Sequence, residues 1–134
     1  MSIEAKQIIN IMNAWAPQSL AESWDHPGLQ IGNVHTPVKK VLVALDLTAE
    51  NASYAADNGV NLIISHHPFL FRSLHEIDLG TYRGKIIETL IRSSIVSFAA
   101  HTNLDIARGG VNDVLAEKLS LSDVSCLLYT SDAA

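Results

Sequence analysis

Apolar side chains near the N-terminus recur at steps of three and four residues, the spacing that places them on one face of a helix. The positions concerned are Ala5, Ile8, Ile9, Met12 and Trp15. The pattern predicts an amphipathic helix over residues 2–16. Pro17 ends it, because the residue before a proline avoids the helical region.

Three short, continuous apolar runs rich in β-branched residues follow this helix. They are VLVALD (41–46), VNLIIS (60–65) and IVSFAA (95–100). Runs of this kind predict strands that are covered on both faces, as is usual in parallel sheets.

Helical patterns alternate with these strands. Thr48 is placed to cap a helix that continues to Asn58, and Gly59 suits its C-terminal end. Two more helices are marked by apolar positions, one after an irregular segment at 68–80 and one after the pair Gly109–Gly110. The marking residues are Ile86, Ile87, Leu90 and Ile91 in the first, and Val111, Val114, Leu115 and Leu119 in the second. This alternation predicts an α/β domain with a mostly parallel sheet flanked by helices. An α+β fold with a mixed sheet is the alternative.

Residues 23–38 carry two prolines, two glycines and little periodicity, so we expect a loop there with a turn at Pro27–Gly28. The segment is long for a connection inside a compact domain, and long ordered loops are often functional.

Composition limits the possible functions. A chain of 134 residues with 48% hydrophobic residues fits one domain, and no stretch approaches the length of a membrane span. The net charge of −5, without a run of basic residues, makes nucleic acid or an anionic membrane an unlikely partner on electrostatic grounds. The single cysteine, Cys126, forms no intrachain disulfide, so a cytoplasmic location is expected.

Polar side chains follow each of the three predicted strands. The first strand ends in Asp46, the second is followed by His66 and His67, and the third by His101, with Asp105 four residues later. The carboxyl ends of parallel strands meet at one edge of a sheet, where ligands bind. We therefore expect these side chains to approach one another.

Imidazole nitrogens and carboxylate oxygens are ligands of zinc, iron and manganese. Neighbouring side chains on a regular strand point to opposite faces, so His66 and His67 serve one site only if the backbone leaves strand geometry, which Pro68 favours. They would more naturally address two adjacent metal ions, which can share a bridging hydroxide as nucleophile.

Structural explanations compete with these assignments. From spacing alone, metal ligation and ordinary hydrogen bonding of the histidine pair are about equally favoured. Asp105 lies in a TNLD segment of the kind in which aspartate often bonds neighbouring amides, and Asp46 is interpreted as structural, bonded to the turn at Thr48. Three roles are open for His101: metal ligand, support for another ligand, or proton transfer. His26, His35 and His75 are expected to be surface residues.

Four motifs in order carry a resemblance to a known family. They are WDHPGLQIG (24–32), the strand end VALD (43–46), ISHHPFLF (64–71) and AHTNLDIARGGVND (100–113). Together they resemble the N-terminal half of the Nif-three-like dinuclear metal-centre family, catalogued as GTP cyclohydrolase 1 type 2 homologues. The similarity extends from the first helix to about residue 121. One small departure is His26, where the family usually has asparagine.

The resemblance implies an α/β protein, usually a ring-shaped homohexamer, with two divalent metal ions facing an interior cavity. It implies that His66 and His67 each bind one ion, that Asp105 shares an ion with His67, and that His101 lines the same cavity. It also implies metal-dependent hydrolysis of a nucleotide-like small molecule, nominally the opening of the purine ring of GTP.

The C-terminal end departs from the family. Related chains are longer and supply a histidine and, four residues later, a glutamate that bridges both ions, whereas no such pair follows Asp105 here. The stretch CLLYTSDAA (126–134) does not continue the preceding helical pattern and resembles read-through of a sequencing adaptor. We therefore expect a domain over residues 1–121 and a non-native or disordered tail over residues 122–134.

Two metal ions need about eight ligand positions, and this chain offers three expected ligands and one possible one. The sequence thus favours a metal-binding protein with an incomplete hydrolase site. The first alternative is a non-catalytic metal-binding or protein-interaction module. A mononuclear iron site of two histidines and a carboxylate is a third, less favoured reading, since such sites usually lie on β-barrels.

Overall fold

The computed structural model describes residues 2–125 and shows a four-stranded sheet between two layers of helices. The helices are α1 (Ala5–Trp15), α2 (Ala49–Asp57), α3 (Tyr82–Arg92), α4 (Thr102–Ile106) and α5 (Val111–Lys118). The strands are β1 (Ile3–Glu4), β2 (Gly28–Ile31), β3 (Pro37–Val38), β4 (Val41–Ala44), β5 (Leu62–Ser65) and β6 (Val96–Ala99).

The main sheet has the order β2-β6-β5-β4, and a separate two-stranded sheet joins β1 to β3. The strands β4, β5 and β6 are parallel, and β2 runs antiparallel to β6. The predicted α/β fold with a mostly parallel sheet is confirmed.

Each face of the sheet has its own apolar core. On one face, α2 and α3 pack through Ala52, Ala55, Ile86 and Leu90 against Ile63 of the central strand. On the other, α1 packs against β5 and β6, and the residues of this core are Ala5, Ile9, Leu62, Val96, Phe98 and Ala100. The polar strand ends lie beyond these two cores.

The predicted helices form with small changes at their ends. Thr48 caps α2, since its hydroxyl accepts a hydrogen bond from the Asn51 amide at 3.1 Å. The first helix begins at Ala5, later than predicted, because Ile3 and Glu4 pair with β3. The short helix α4 was not among the predicted helices. Residues 68–80 contain neither helix nor strand, as predicted.

Two predictions about the strands are wrong. The segment 23–38 is not only a loop, because it contains β2 and β3; glycines at both ends of β2 hide its short apolar pattern. The strand β4 is not covered on both faces, since the side chain of Val43 is 75% exposed. β4 is an edge strand, and α1 packs over its neighbours instead.

No helix in residues 2–125 combines the length and the apolar character that a membrane crossing requires. Cys126 and the remainder of the predicted tail to residue 134 lie outside the described residues, while residues 122–125 are exposed and form no helix or strand. The tail assignment therefore stays a prediction.

Val96→Ala and Val43→Ala make the same chemical change on one face of the sheet. We expect Val96→Ala to lower the free energy of unfolding by about 2 kcal/mol, because Val96 is fully buried. At the lowest protein concentration, where the chain is a monomer, Val43→Ala should cost less than about 0.5 kcal/mol. Urea unfolding at several protein concentrations measures both. Equal costs would show that the face of β4 is covered in solution.

Candidate metal centre

The register of the parallel strands places three histidines at one edge of the sheet. Ser65 of β5 pairs with Ala99 of β6, so His66 and His67 leave their strand beside the position where His101 leaves its own. The ring centroids of His66 and His67 are 5.0 Å apart, and each lies within 5.7 Å of the ring of His101.

The backbone bends at the histidine pair, which allows both rings to reach the same site. Strand geometry ends at Ser65, and the amides of His66 and His67 both donate to the carbonyl of Leu45, at 3.2 and 3.0 Å. Consecutive amides of a regular strand would point to opposite sides. The Ser65 hydroxyl also donates to the His67 carbonyl at 2.9 Å, which supports the bend.

Oxygen acceptors fix the orientation of the two adjacent rings. Nδ1 of His66 lies 2.9 Å from the carbonyl oxygen of Ala100, and Nδ1 of His67 lies 2.7 Å from Oδ1 of Asp46. Since both oxygens can only accept, Nδ1 carries the proton of each neutral ring. Nε2 then holds a free lone pair, the arrangement found in metal-binding histidines.

His101 has a carboxylate in the same position. Its Nδ1 lies 3.0 Å from Oδ1 of Asp25, a close electrostatic contact whose angle departs from that of a good hydrogen bond. Asp25 is held in turn by Thr102, whose amide and hydroxyl donate to Oδ2 at 3.1 and 2.6 Å. In all three rings Nδ1 therefore lies within 3.0 Å of an oxygen atom.

The carboxyl of Asp25 stays ionised in its buried position. Burial raises its pKa, but the hydrogen bonds from Thr102 and the contact with His101 outweigh burial and hold the pKa below its ordinary value. A buried negative charge at this point favours a cation nearby.

Asp105 lies next to the cluster, as the sequence predicts. Its Oδ1 is 3.5 Å from Nε2 of His66, and both side chains are partly buried. Two atoms at this distance can bind the same ion, since ligands about 2.1 Å from zinc can be up to about 4.2 Å apart. The pairing of Asp105 with His67 that the resemblance implies stays a prediction.

His66, His67 and His101 are placed to hold a metal ion, and each offers a ligand atom within 4.8 Å of the other two. Ligands of one zinc ion lie up to about 4.2 Å apart, so three atoms within 4.8 Å of one another are close to the spacing that a single ion needs. Neutral nitrogen ligands with a carboxylate oxygen beside them suit zinc, iron or manganese.

Sequence reasoning missed the roles of two carboxylates. Asp46 was expected to bond the turn at Thr48, but its side chain contacts His67 and only its backbone carbonyl accepts from a helix residue, Asn51. Asp25 was passed over within WDHPGLQIG. The one feature of the sequence that could have pointed to a functional role for Asp25 was its place in an unusually long connection. His26, His35 and His75 are exposed, as expected.

The fold and the cluster define a class of protein, an α/β domain with a histidine-rich candidate metal site at the carboxyl edge of a mostly parallel sheet. The chain belongs to the Duf34/NIF3 (NGG1p interacting factor 3) family, whose model matches residues 3–131. The resemblance read from the four motifs is confirmed.

Relatives of known sequence or structure agree with this membership. The GTP cyclohydrolase 1 type 2 homolog of Listeria innocua is 49% identical over 120 residues, which are 90% of this chain and 32% of that protein. The homolog from Halalkalibacterium halodurans is 43% identical over 124 residues, covering 92% of this chain and 33% of its own length.

The crystal structure of a Bacillus cereus protein related to NIF3 matches with a TM-score of 0.91 and 44% identity. The match covers 96% of this chain and 36% of the Bacillus chain. This chain thus spans about a third of the length of the relatives described here.

Asp25→Asn tests the buried support of His101. We expect the free energy of unfolding at pH 7 to fall by about 2 kcal/mol, because hydrogen bonds to a charged group contribute about 1.5–3 kcal/mol and one amide oxygen cannot replace two carboxylate oxygens. Urea unfolding measures the loss. Asp57→Asn is the control, since Asp57 is exposed at the end of α2.

The pH dependence of this loss has a defined sign. Folding lowers the pKa of Asp25, so its contribution is present above the ordinary value of 3.8 and is lost as the pH falls through the lower value of the folded state. The difference between the wild type and Asp25→Asn should shrink below that pH. Equal stability of the two proteins at pH 7 would contradict the assigned role.

Proposed function

We propose that this chain is a divalent-metal-binding protein and that its family site hydrolyses a nucleotide-like small molecule. The observation that supports this most is the cluster of three histidines whose Nδ1 atoms all face oxygen atoms. At His66 and His67, whose Nδ1 atoms have hydrogen-bond acceptors, this leaves an Nε2 lone pair on each ring for a cation. The name of these relatives, GTP cyclohydrolase 1 type 2 homolog, supports a nucleotide as the substrate class.

In this proposal His66, His67 and Asp105 are the metal ligands, and two divalent ions occupy the complete family site. A bound divalent ion supplies an activated water molecule for hydrolysis. His101 transfers protons, and its ring beside the other two is close enough for that role. Asp25 and Asp46 hold His101 and His67 in orientation.

The site in this chain is proposed to be weaker than the complete one. His66, His67, Asp105 and His101 supply at most four of the roughly eight ligand positions that two ions need. The chain spans only about a third of the Listeria innocua and Halalkalibacterium halodurans relatives, so further ligands are proposed to come from the remaining length of such proteins.

A non-catalytic metal-binding or protein-interaction module is the second candidate. The description NGG1p interacting factor 3 refers to an interaction, which favours this reading. The side chains of Val43, Trp15 and Leu115 also leave large apolar areas exposed for contacts with a partner.

We further propose that copies of the chain associate into a homo-oligomer, a hexamer in the complete family, in the cytoplasm. Family resemblance and the exposed apolar side chains support association. The concentration series for Val43→Ala tests it, because burial of Val43 between copies would make that substitution costly at high protein concentration only.

Metal binding is tested first with the histidine pair. We expect His66→Ala and His67→Ala each to weaken the binding of Zn²⁺ at least about tenfold, because even loss of a residue that only supports a ligand costs about 10- to 100-fold. Elemental analysis of Zn²⁺-loaded, desalted protein measures this. His75→Ala is the matched control, since His75 is exposed outside the cluster. Unchanged metal content in both variants would refute the site.

Turnover separates the two candidate functions. We expect slow hydrolysis of GTP that depends on added Mn²⁺ or Zn²⁺ and that Asp105→Asn lowers at least about tenfold, since the amide is a poorer ligand than the carboxylate. Asp57→Asn is again the control for the loss of one negative charge. Metal binding without turnover by the wild type would favour the non-catalytic module.

A further inference from the structure

Two half-exposed aromatic side chains stand beside the histidine cluster. Trp24 is 57% exposed and Phe71 is 52% exposed. Their rings meet edge to face with centroids 6.0 Å apart, and both rings lie near His101, at 6.2 and 6.3 Å. They come from two different connections, one before β2 and one after β5.

The backbone next to each aromatic residue is firmly held. Trp24 precedes Asp25, whose buried carboxylate accepts two hydrogen bonds from Thr102. Phe71 follows Leu70, whose amide donates to Oε1 of Gln30 at 3.0 Å. The exposure of these rings therefore results from the fold and not from a loosely attached loop.

Hydrogen bonds also hold the beginning of the connection that carries Phe71. Arg83 of α3 donates through Nη2 to the carbonyl of Phe69 at 2.6 Å, and its guanidinium lies 5.3 Å from the centre of the Phe69 ring. The second connection is thus tied to the sheet through Gln30 and to α3 through Arg83.

A single exposed apolar side chain is common on protein surfaces and needs no explanation. Two large rings, held in place beside three imidazoles that face a candidate cation site, are a different arrangement. Each ring keeps about half of its surface free, and aromatic faces and edges bind planar rings by stacking. A ligand ring on this surface would lie next to the cluster.

We propose that Trp24 and Phe71 bind the planar heteroaromatic ring of the substrate, of the size of a nucleobase, and hold it against the histidine cluster. This inference rests on the proposed function and names two residues that determine its specificity. The ring surface binds the base, while the cluster acts on the part of the ligand that faces His101.

The test uses guanosine 5′-monophosphate and ribose 5-phosphate, which differ in the ring. Isothermal calorimetry on the whole chain, with and without Zn²⁺, should give at least about tenfold tighter binding of the nucleotide, within the range measured for base stacking on aromatic residues. Equal affinities of the two probes, or no binding of the nucleotide up to millimolar concentration, would overturn the proposal.

Fluorescence locates the bound ring. The chain has two tryptophans, so Trp15→Phe leaves Trp24 as the only one. Its emission should be quenched by the nucleotide and not by ribose 5-phosphate, whereas in Trp24→Leu the emission of Trp15 should not respond. The same response from Trp15 would contradict binding at Trp24. If Trp15→Phe does not fold, the calorimetry on the wild type is the deciding measurement.

Side-chain replacement gives the third measurement. Trp24→Leu and Phe71→Leu should each weaken nucleotide binding about tenfold and leave ribose 5-phosphate unaffected. Tyr54→Leu is the matched control, because Tyr54 is 55% exposed on α2. Unchanged nucleotide affinity in both Trp24→Leu and Phe71→Leu would overturn the proposal.

Failure of this inference and failure of the proposed function give different results. If the Zn²⁺ content is normal and the nucleotide binds no more tightly than ribose 5-phosphate, only the proposed aromatic site is refuted. Ring-dependent binding without Zn²⁺ binding or GTP turnover supports the aromatic site and removes the hydrolase.

Discussion

The candidate site depends on the register of three parallel strands. The last residues of the three strands pair side by side, namely Ala44 of β4, Ser65 of β5 and Ala99 of β6. The three strands therefore end at the same level of the sheet. The ladder continues one step further, since the amide of Ala100 donates to the Ser65 carbonyl at 3.0 Å. A shift of one residue would turn the side chains of a whole strand to its other face and separate the histidines.

Orientation of the rings depends on the same sheet. The oxygen atoms that face the three Nδ1 atoms belong to Asp46 after β4, Ala100 after β6 and Asp25 before β2. His66 and His67 are thus hydrogen-bonded, and His101 is contacted, by residues outside the segment that carries each ring. Two of the acceptors are carboxylates, which add negative charge around the Nε2 lone pairs and favour a cation over an anion.

Much of this arrangement could be predicted from sequence because it is encoded locally. The runs that form β4, β5 and β6 are apolar and continuous, and polar residues follow each of them directly, so His66, His67 and His101 could be assigned to one edge. The location of Asp105 at the same edge could be predicted because it follows His101 by only four residues.

The remaining features depend on contacts between distant parts of the chain. Strand β2 escaped detection because it is four residues long, begins with a glycine, is followed by another and forms an edge. Without β2, nothing indicated that the preceding residues, Trp24 and Asp25, return to the carboxyl edge of the sheet. Asp46 looked like a turn residue because its partner, His67, lies 21 positions away.

The contact between Asp25 and Thr102 also affects how the protein reaches its native state. It joins positions 77 residues apart, so the chain must close a long loop before the support of His101 exists. The three parallel strands lie within that loop. The third imidazole is therefore secured only when nearly the whole domain has assembled, and a cation that requires all three rings would select fully folded molecules over partly folded ones.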